Sequence, residues 1–289
     1  RSLPGAYSNS AFETRLGIPS TRPIAWATVN HKNRAQRTVS SPYSGIIRAL
    51  ATGDRSLVSD SVIDTMRRTG TIHLLAISGL HIGMAATAGS LLGWILSRPL
   101  VPWPRFARWI PTMCGLLLAA HYANLVGWPT STKRAFCMVL VVGFTRLMYR
   151  TVRPWHVWAF ALSIVLTIQP HHIASVGLWM SFGAVAGLIG WTPLFSKPSE
   201  TWPRPLRWAW QSMSASTAAT LGVFPVSAWI FQEVSVGSPL SNLLTIPLFA
   251  GLAVPASMIA MHGPPSLHSL AVWIAEGSID LSFLWMRLT

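Results

Sequence analysis

From Thr71 to the last residue, the chain is a succession of apolar runs separated by short polar or proline-containing breaks. Most runs approach the ~20 residues that a helix needs to cross the hydrocarbon core of a bilayer. The pattern predicts about eight transmembrane helices, some of them short or broken by proline, as tolerated where helices pack on protein or line a polar cavity. The predicted spans are 71–96, 110–128, 134–150, 155–170, 173–195, 212–232, 239–261 and 268–287.

The first 70 residues have a different pattern. Residues 1–42 are polar, basic and rich in turn-forming residues, and the alternation of side chains in 24–29 predicts a strand. In residues 43–70 the apolar positions recur every three to four residues, with charged side chains on the other face. Such helices are too short and too polar to span a bilayer, so we expect 43–70 to form amphipathic interfacial helices.

Composition supports a membrane protein. Hydrophobic residues make up 51% of the chain and charged residues only 10%, whereas soluble domains carry about 25% charged residues. The 15 tryptophans agree with this class, because Trp is enriched at membrane–water interfaces. An ordinary soluble globule and an intrinsically disordered chain are both excluded, and the sequence predicts an all-α polytopic membrane protein.

The net charge of +14 is unevenly distributed along the predicted spans. Loops after the first, third and fifth spans, with the inner edge of the third, hold nine basic residues, whereas the opposite face of the bundle holds three. The positive-inside rule makes the first face cytoplasmic and places residues 1–70 outside. Topology does not explain the ten basic residues of that outer segment, which favour an anionic external ligand.

Residues 70–84, Gly-Thr-Ile-His-Leu-Leu-Ala-Ile-Ser-Gly-Leu-His-Ile-Gly-Met, are the richest in candidate chemistry. His73, Ser78 and His81 are polar groups set in apolar sequence, where polarity is costly and suggests function. Small residues such as Gly79 allow a helix or a strand to approach closely. The alternative is a structural role as packing glycines and hydrogen-bonded histidines. His73 and His81 are not spaced as a metal-binding pair on a helix, so no metal is predicted.

This stretch, with the preceding Ala51-Thr-Gly-Asp-Arg55, resembles the signature of the ComEC/Rec2 family of DNA-uptake membrane channels. Four more elements resemble the family in the same order along the chain: Arg15-Leu-Gly-Ile18, Arg134-Ala135 with Met138, Trp179–Val185 and Ser238–Pro247. The resemblance implies that residues 1–42 are the C-terminal remnant of an external OB-like β domain with a linker. Residues 71–289 would then be the competence-type helix bundle, incomplete at its C-terminus.

The resemblance further implies a channel that translocates single-stranded DNA across the cytoplasmic membrane during natural transformation. We expect the pore wall to include His73, Ser78, Gly79, His81, Arg134 and Asn242. External DNA contacts are expected at Arg15, Arg22, Lys32, Arg34 and Arg37. For Asp54 and Arg55, gating and plain capping or mutual pairing remain alternatives.

The expected partners are single-stranded DNA, the lipid bilayer, other competence proteins such as a DNA receptor and a helicase motor, and further copies of the chain. No cofactor and no enzymatic activity are predicted, although full-length family members often carry a metallo-β-lactamase-like nuclease domain after the bundle. The alternative function is a secondary transporter or exporter of a small solute, whose broken helices would meet at mid-depth.

Overall fold

A computed structural model of the chain describes residues 41–98, 109–148, 153–191, 201–230 and 237–289, together with 194, 198 and 232. Within these ranges the regular structure is helical, without strands. The helices are α1 Ser44–Thr52, α2 Asp60–Arg68, α3 Gly79–Ser97, α4 Trp109–Leu125, α5 Thr130–Leu147, α6 Pro154–Ile168, α7 Val176–Trp191, α8 Arg204–Ile230, α9 Ser238–Leu248, α10 Val254–His262 and α11 His268–Leu288. A π-helical segment, Phe249–Ala253, joins α9 to α10.

Each predicted span contains a helix of the structure, so the all-helical class is confirmed. Among the described residues, three helical segments are long and apolar enough to cross a membrane on their own: Gly79–Ser97, Arg204–Ile230 and the continuous stretch Ser238–His262. Helices α6 and α7 are apolar but shorter. The crossing of the bilayer by eight helices therefore stays a prediction. The strand at 24–29 and the OB-like remnant lie outside the described residues.

The first span begins later than the hydropathy pattern indicates. Helix α2 is followed by Gly70, whose φ of 71° is left-handed, and then by a 3-10 turn at Ile72–Leu74. Ser78 is extended, with φ −105° and ψ 168°, and α3 starts at Gly79. The helix of the first predicted span, 71–96, thus begins at Gly79, because a periodic apolar pattern does not reveal an extended N-cap residue.

Helix α1 is among the most deeply buried elements of the bundle. Its side chains Ile46, Ile47 and Leu50 belong to the main hydrophobic core, and the helix packs against α10. Just before α1, the Tyr43 ring stacks on Phe283 of α11 with the ring centroids 6.2 Å apart. Helix α1 therefore joins the bundle, whereas α2 exposes most of its polar face. The interfacial position of 43–70 stays a prediction.

Glycines set the closest helix–helix contacts. A Cβ atom added to Gly187 of α7 would lie 2.8 Å from the Cα of Gly222 in α8 and would also collide with the carbonyl oxygen of Ala218. A Cβ atom on Gly89 of α3 would similarly lie 2.8 Å from the Leu118 side chain of α4. Such close approach of backbones is typical of helix packing in membranes, where small residues form the interfaces.

The outer surface of the bundle is strongly apolar. Large side chains are exposed along several helices, including Trp229, which is 86% exposed, and Trp273, which is 71% exposed. On α3, Leu91, Leu92 and Ile95 are exposed as well. Soluble proteins rarely expose apolar surface on this scale, so this exterior is typical of a surface that faces lipid.

Candidate functional site

The N-termini of α3, α5 and α7 meet at one end of the bundle. The Ser131 hydroxyl donates a hydrogen bond of 2.8 Å to the carbonyl oxygen of Ile77, just before α3. A Cβ atom on Gly79 would lie 3.4 Å from that of Ala135, and one on Gly177 would lie 3.3 Å from Nη2 of Arg134. We call residues 73–81, 130–135 and 171–177 the helix-start cluster. It contains five of the predicted pore residues: His73, Ser78, Gly79, His81 and Arg134.

His81 and Ser78 are coupled through the backbone. Nδ1 of His81 accepts the N–H of Ser78 at 3.2 Å, as the third residue of a helix does in a capping box. A neutral ring that accepts at Nδ1 carries its proton on Nε2. His81 is only 2% exposed, and neither its Nε2 nor the Ser78 hydroxyl has a hydrogen-bond partner in the described part of the chain. Leaving such groups unpaired costs about 1–3 kcal/mol each, so both are candidates for a ligand or water contact.

His73 has a different environment from His81. It is exposed, and its Nδ1–H donates to the carbonyl oxygen of Gly70 at 3.0 Å. This bond fixes the turn between α2 and the 3-10 segment. The two histidines of the motif therefore differ in two ways. His73 is exposed and carries a proton on Nδ1, whereas His81 is buried and accepts a hydrogen bond at Nδ1.

Arg134 is the most unusual side chain of the cluster. It is 7% exposed, and its Nε is buried with no hydrogen-bond partner. No carboxylate in the described ranges lies within 4.0 Å of it. Burial of an unpaired ion costs several kcal/mol, so a guanidinium in this state is rarely a packing residue. Thr132, two residues earlier, is also fully buried with an unpartnered hydroxyl.

His172 and Gly177 belong to the site although neither is among the residues predicted from the sequence. Both lie around the start of α7, beside Arg134, more than 35 residues away along the chain. Burial, together with His171, Arg134 and Lys133, lowers the pKa of His172 below that of a free histidine. The only signal in the sequence was the pair of adjacent histidines, His171 and His172, at a break between apolar runs. This pair does not show which residues of other helices lie beside it.

Asn242 lies in a different polar group. Its Nδ2 donates to Ser216 of α8 and to Ser238 of α9, each at 3.0 Å. Ser241 bonds to Thr289 at the end of α11 at 2.8 Å. Asn242 is 6% exposed and its Oδ1 has no partner within the described ranges. These bonds link α8, α9 and α11 and do not connect Asn242 to the helix-start cluster.

Asp54 holds the turn between α1 and α2. Its carboxylate accepts the backbone N–H of Ser56 at 3.1 Å and pairs with Arg48 at 3.0 Å. The bonds from Ser56, followed by the attraction of Arg48, lower its pKa. The pairing partner of Asp54 is thus Arg48, not Arg55, whose role as a gating or capping residue stays a prediction. The predicted external contacts at Arg15, Arg22, Lys32, Arg34 and Arg37 lie outside the described residues.

The family model of the competence protein matches residues 50–289, which include every helix from α2 to α11. The chain belongs to the competence protein family. The resemblance to ComEC/Rec2 proteins is confirmed, and with the apolar exterior it identifies the chain as a membrane protein.

Three relatives illustrate the similarity. The chain is 28% identical to Recombination protein 2 of Haemophilus influenzae over 85% of its length, which covers 32% of that relative. It is 30% identical to Competence protein ComA of Neisseria gonorrhoeae, over 84% of the chain and 34% of the relative. It is 35% identical to the uncharacterized protein YcaI of Escherichia coli, over 99% of the chain and 40% of the relative. The chain thus spans less than half of each relative's length. No solved structure matches it.

Proposed function

We propose that the chain forms the membrane channel through which single-stranded DNA crosses the cytoplasmic membrane during natural transformation. The observation that carries the proposal is the competence-family match over helices α2 to α11. The names of Recombination protein 2 and Competence protein ComA, both similar over more than four-fifths of this chain, point to the same process.

The helix-start cluster supports this function chemically. A polyanion crossing a bilayer requires polar groups and positive charge where lipid would otherwise impose apolar side chains. The cluster offers a buried, unpaired guanidinium at Arg134 and unpaired polar atoms at Ser78, His81 and Thr132. In this proposal these groups border the DNA path near its entrance, and Asn242 lines a separate part of the wall.

The proposed topology places the helix-start cluster on the outer side. Helices α3, α5 and α7 begin at this end, and in the sequence each of them is followed by positively charged residues, which the positive-inside rule assigns to the cytoplasm. Residues 1–70 would then present their basic side chains to incoming DNA. A DNA receptor outside, a helicase motor inside and further copies of the chain are the proposed partners.

Electrical recording from a planar bilayer tests the channel. We expect the purified full-length protein to conduct ions and to show transient current blockades when single-stranded DNA is driven through by voltage. Blockade duration should rise with strand length, because a longer strand occupies the path for longer. A small-solute transporter, the alternative, would give no blockades that depend on strand length, and that result would contradict the proposal.

A further inference from the structure

Basic side chains lie around Arg134, and no carboxylate of the described ranges pairs with its guanidinium. Its guanidinium lies beside Gly177, in the first turn of α7, where the dipole of the helix is positive. Burial and the repulsion of His171, Arg134 and Lys133 lower the pKa of His172, whose buried Nδ1 has no hydrogen-bond partner among the described residues. A cation beside a helix N-terminus and beside other basic side chains is repelled unless an anion balances it.

The start of α5 adds hydrogen-bond donors to the same place. Its N-cap residue is Pro129, which provides no side-chain cap, so the first backbone N–H groups of the helix lack the usual acceptor. Long side chains on a helix lean toward its N-terminus, which directs Arg134 toward this turn. Such a turn is a common place for phosphate groups to bind.

We propose that Arg134, Lys133 and His172, with the first turns of α5 and α7, form a binding site for one phosphodiester group of the nucleic acid backbone. Arg134 binds the phosphate oxygens, and Gly177 leaves the space in which the phosphate lies. This inference rests on the proposed function, since it makes the occupant a phosphate of the translocating strand. It assigns roles to His172 and Gly177 and explains why the buried Arg134 has no carboxylate partner among the residues that the structure describes.

Salt-dependent DNA binding tests the site. The full-length protein is placed in phosphatidylcholine nanodiscs. Its binding of a fluorescent oligo(dT) strand of 20 nucleotides is measured by fluorescence anisotropy over a series of NaCl concentrations. Arg134→Gln should weaken binding at least about tenfold, as expected when a hydrogen bond to a charged group is lost. The slope of log affinity against log salt should fall by about 0.7, because one phosphate contact with a single strand is lost.

Two further variants test the site independently, in case Arg134→Gln fails to fold. Gly177→Leu leaves the charge unchanged and fills the space beside the Arg134 guanidinium, at an exposed position. His172→Gln removes a titratable ring from the 3-10 helix Pro170–Ala174, which precedes α7. Both should weaken binding several-fold while the Tm of the protein changes little. The matched control is Arg146→Gln, which removes the same charge from the exposed opposite end of α5 and should leave affinity and slope unchanged.

The outcomes separate this inference from the proposed function. A wild-type protein that binds oligo(dT) no better than a methylphosphonate strand, whose backbone is uncharged, would contradict the DNA-binding role itself. A wild-type protein that prefers the charged strand, with affinities unaltered in Arg134→Gln and Gly177→Leu, would overturn the site and leave the channel proposal standing.

Lipid headgroups share phosphodiester chemistry, so the measurement is repeated with phosphatidylglycerol in the nanodisc. A DNA site loses affinity on Arg134→Gln in both lipids. An effect of Arg134→Gln confined to nanodiscs without phosphatidylglycerol would show that lipid is the natural occupant, and the inference would be wrong.

Discussion

Nδ1 of the buried His81 ring accepts the backbone N–H of Ser78, the residue that precedes α3, at 3.2 Å. This bond means that His81 stabilises the start of α3, in addition to any contact that its unpaired Nε2 makes with DNA. A variant that removes the ring therefore affects the fold and the path together, and the two effects need separate measurements.

Two substitutions of His81 separate the effect on the fold from the effect on the DNA path. His81→Leu removes the acceptor and should destabilise the protein by about 1 kcal/mol, the usual cost of a lost helix cap. His81→Gln can restore the bond, since glutamine at this position reaches back to the N-cap N–H. We expect the Tm to fall for leucine and to stay near the wild-type value for glutamine. Equal Tm values for the two variants would show that the Ser78 bond contributes nothing.

The close contact of α7 with α8 predicts a large effect of one methyl group. Gly187→Ala places a Cβ against the backbone of Gly222 and should cost about 1–3 kcal/mol, because neither helix can yield without losing its packing. Gly277→Ala in α11 is the control, since a Cβ there meets nothing within 4 Å. Thermal unfolding in detergent measures both, and similar Tm values would argue against a tight α7–α8 interface.

The Asp54 carboxylate predicts a pH-dependent contribution to stability. Its pKa is lowered in the folded protein, so its stabilisation is complete above the unfolded value of about 3.9 and is lost as pH falls through the folded value. Asp54→Asn should therefore lower the stability at pH 7 by less than about 1 kcal/mol, since the ion pair with Arg48 is partly exposed to solvent. The difference from the wild type should vanish in strong acid. A difference that is the same at both pH values would contradict the assignment.

Cysteine labelling checks the orientation at the two ends of α5. On a background in which Cys114 and Cys137 are replaced by alanine, Lys133→Cys should react with a membrane-impermeant maleimide in intact cells, as should Lys32→Cys. Arg146→Cys should react only after permeabilisation. Lys133 and Arg146 are both exposed on the bundle, so access to the reagent decides the result. The opposite pattern would invert the topology.

Sequence patterns predicted the helical segments well, because hydropathy over some twenty residues depends little on tertiary context. They failed at the start of the first span, where the extended conformation of one residue, Ser78, delays the helix to Gly79. The contact of Arg134 with Gly177 could not be predicted from the sequence, because it joins α5 to α7 and no hydrophobic periodicity shows which helices pack together. The burial of α1 was equally hidden, because an amphipathic pattern does not say whether protein or a membrane surface covers the apolar side.

The place of α1 in the core has a consequence for biosynthesis. The hydroxyl of Tyr43, which leads into α1, hydrogen-bonds to Asp280, and 237 residues separate them along the chain. At a ribosomal speed of about 5–20 residues per second, roughly 10–50 s pass between the synthesis of the two. During most of that interval α1 has been made but its partners α10 and α11 have not. The nascent bundle lacks the helix that covers α1 until α10 is made, and a chain truncated before α10 would expose the apolar side of α1 to membrane proteases.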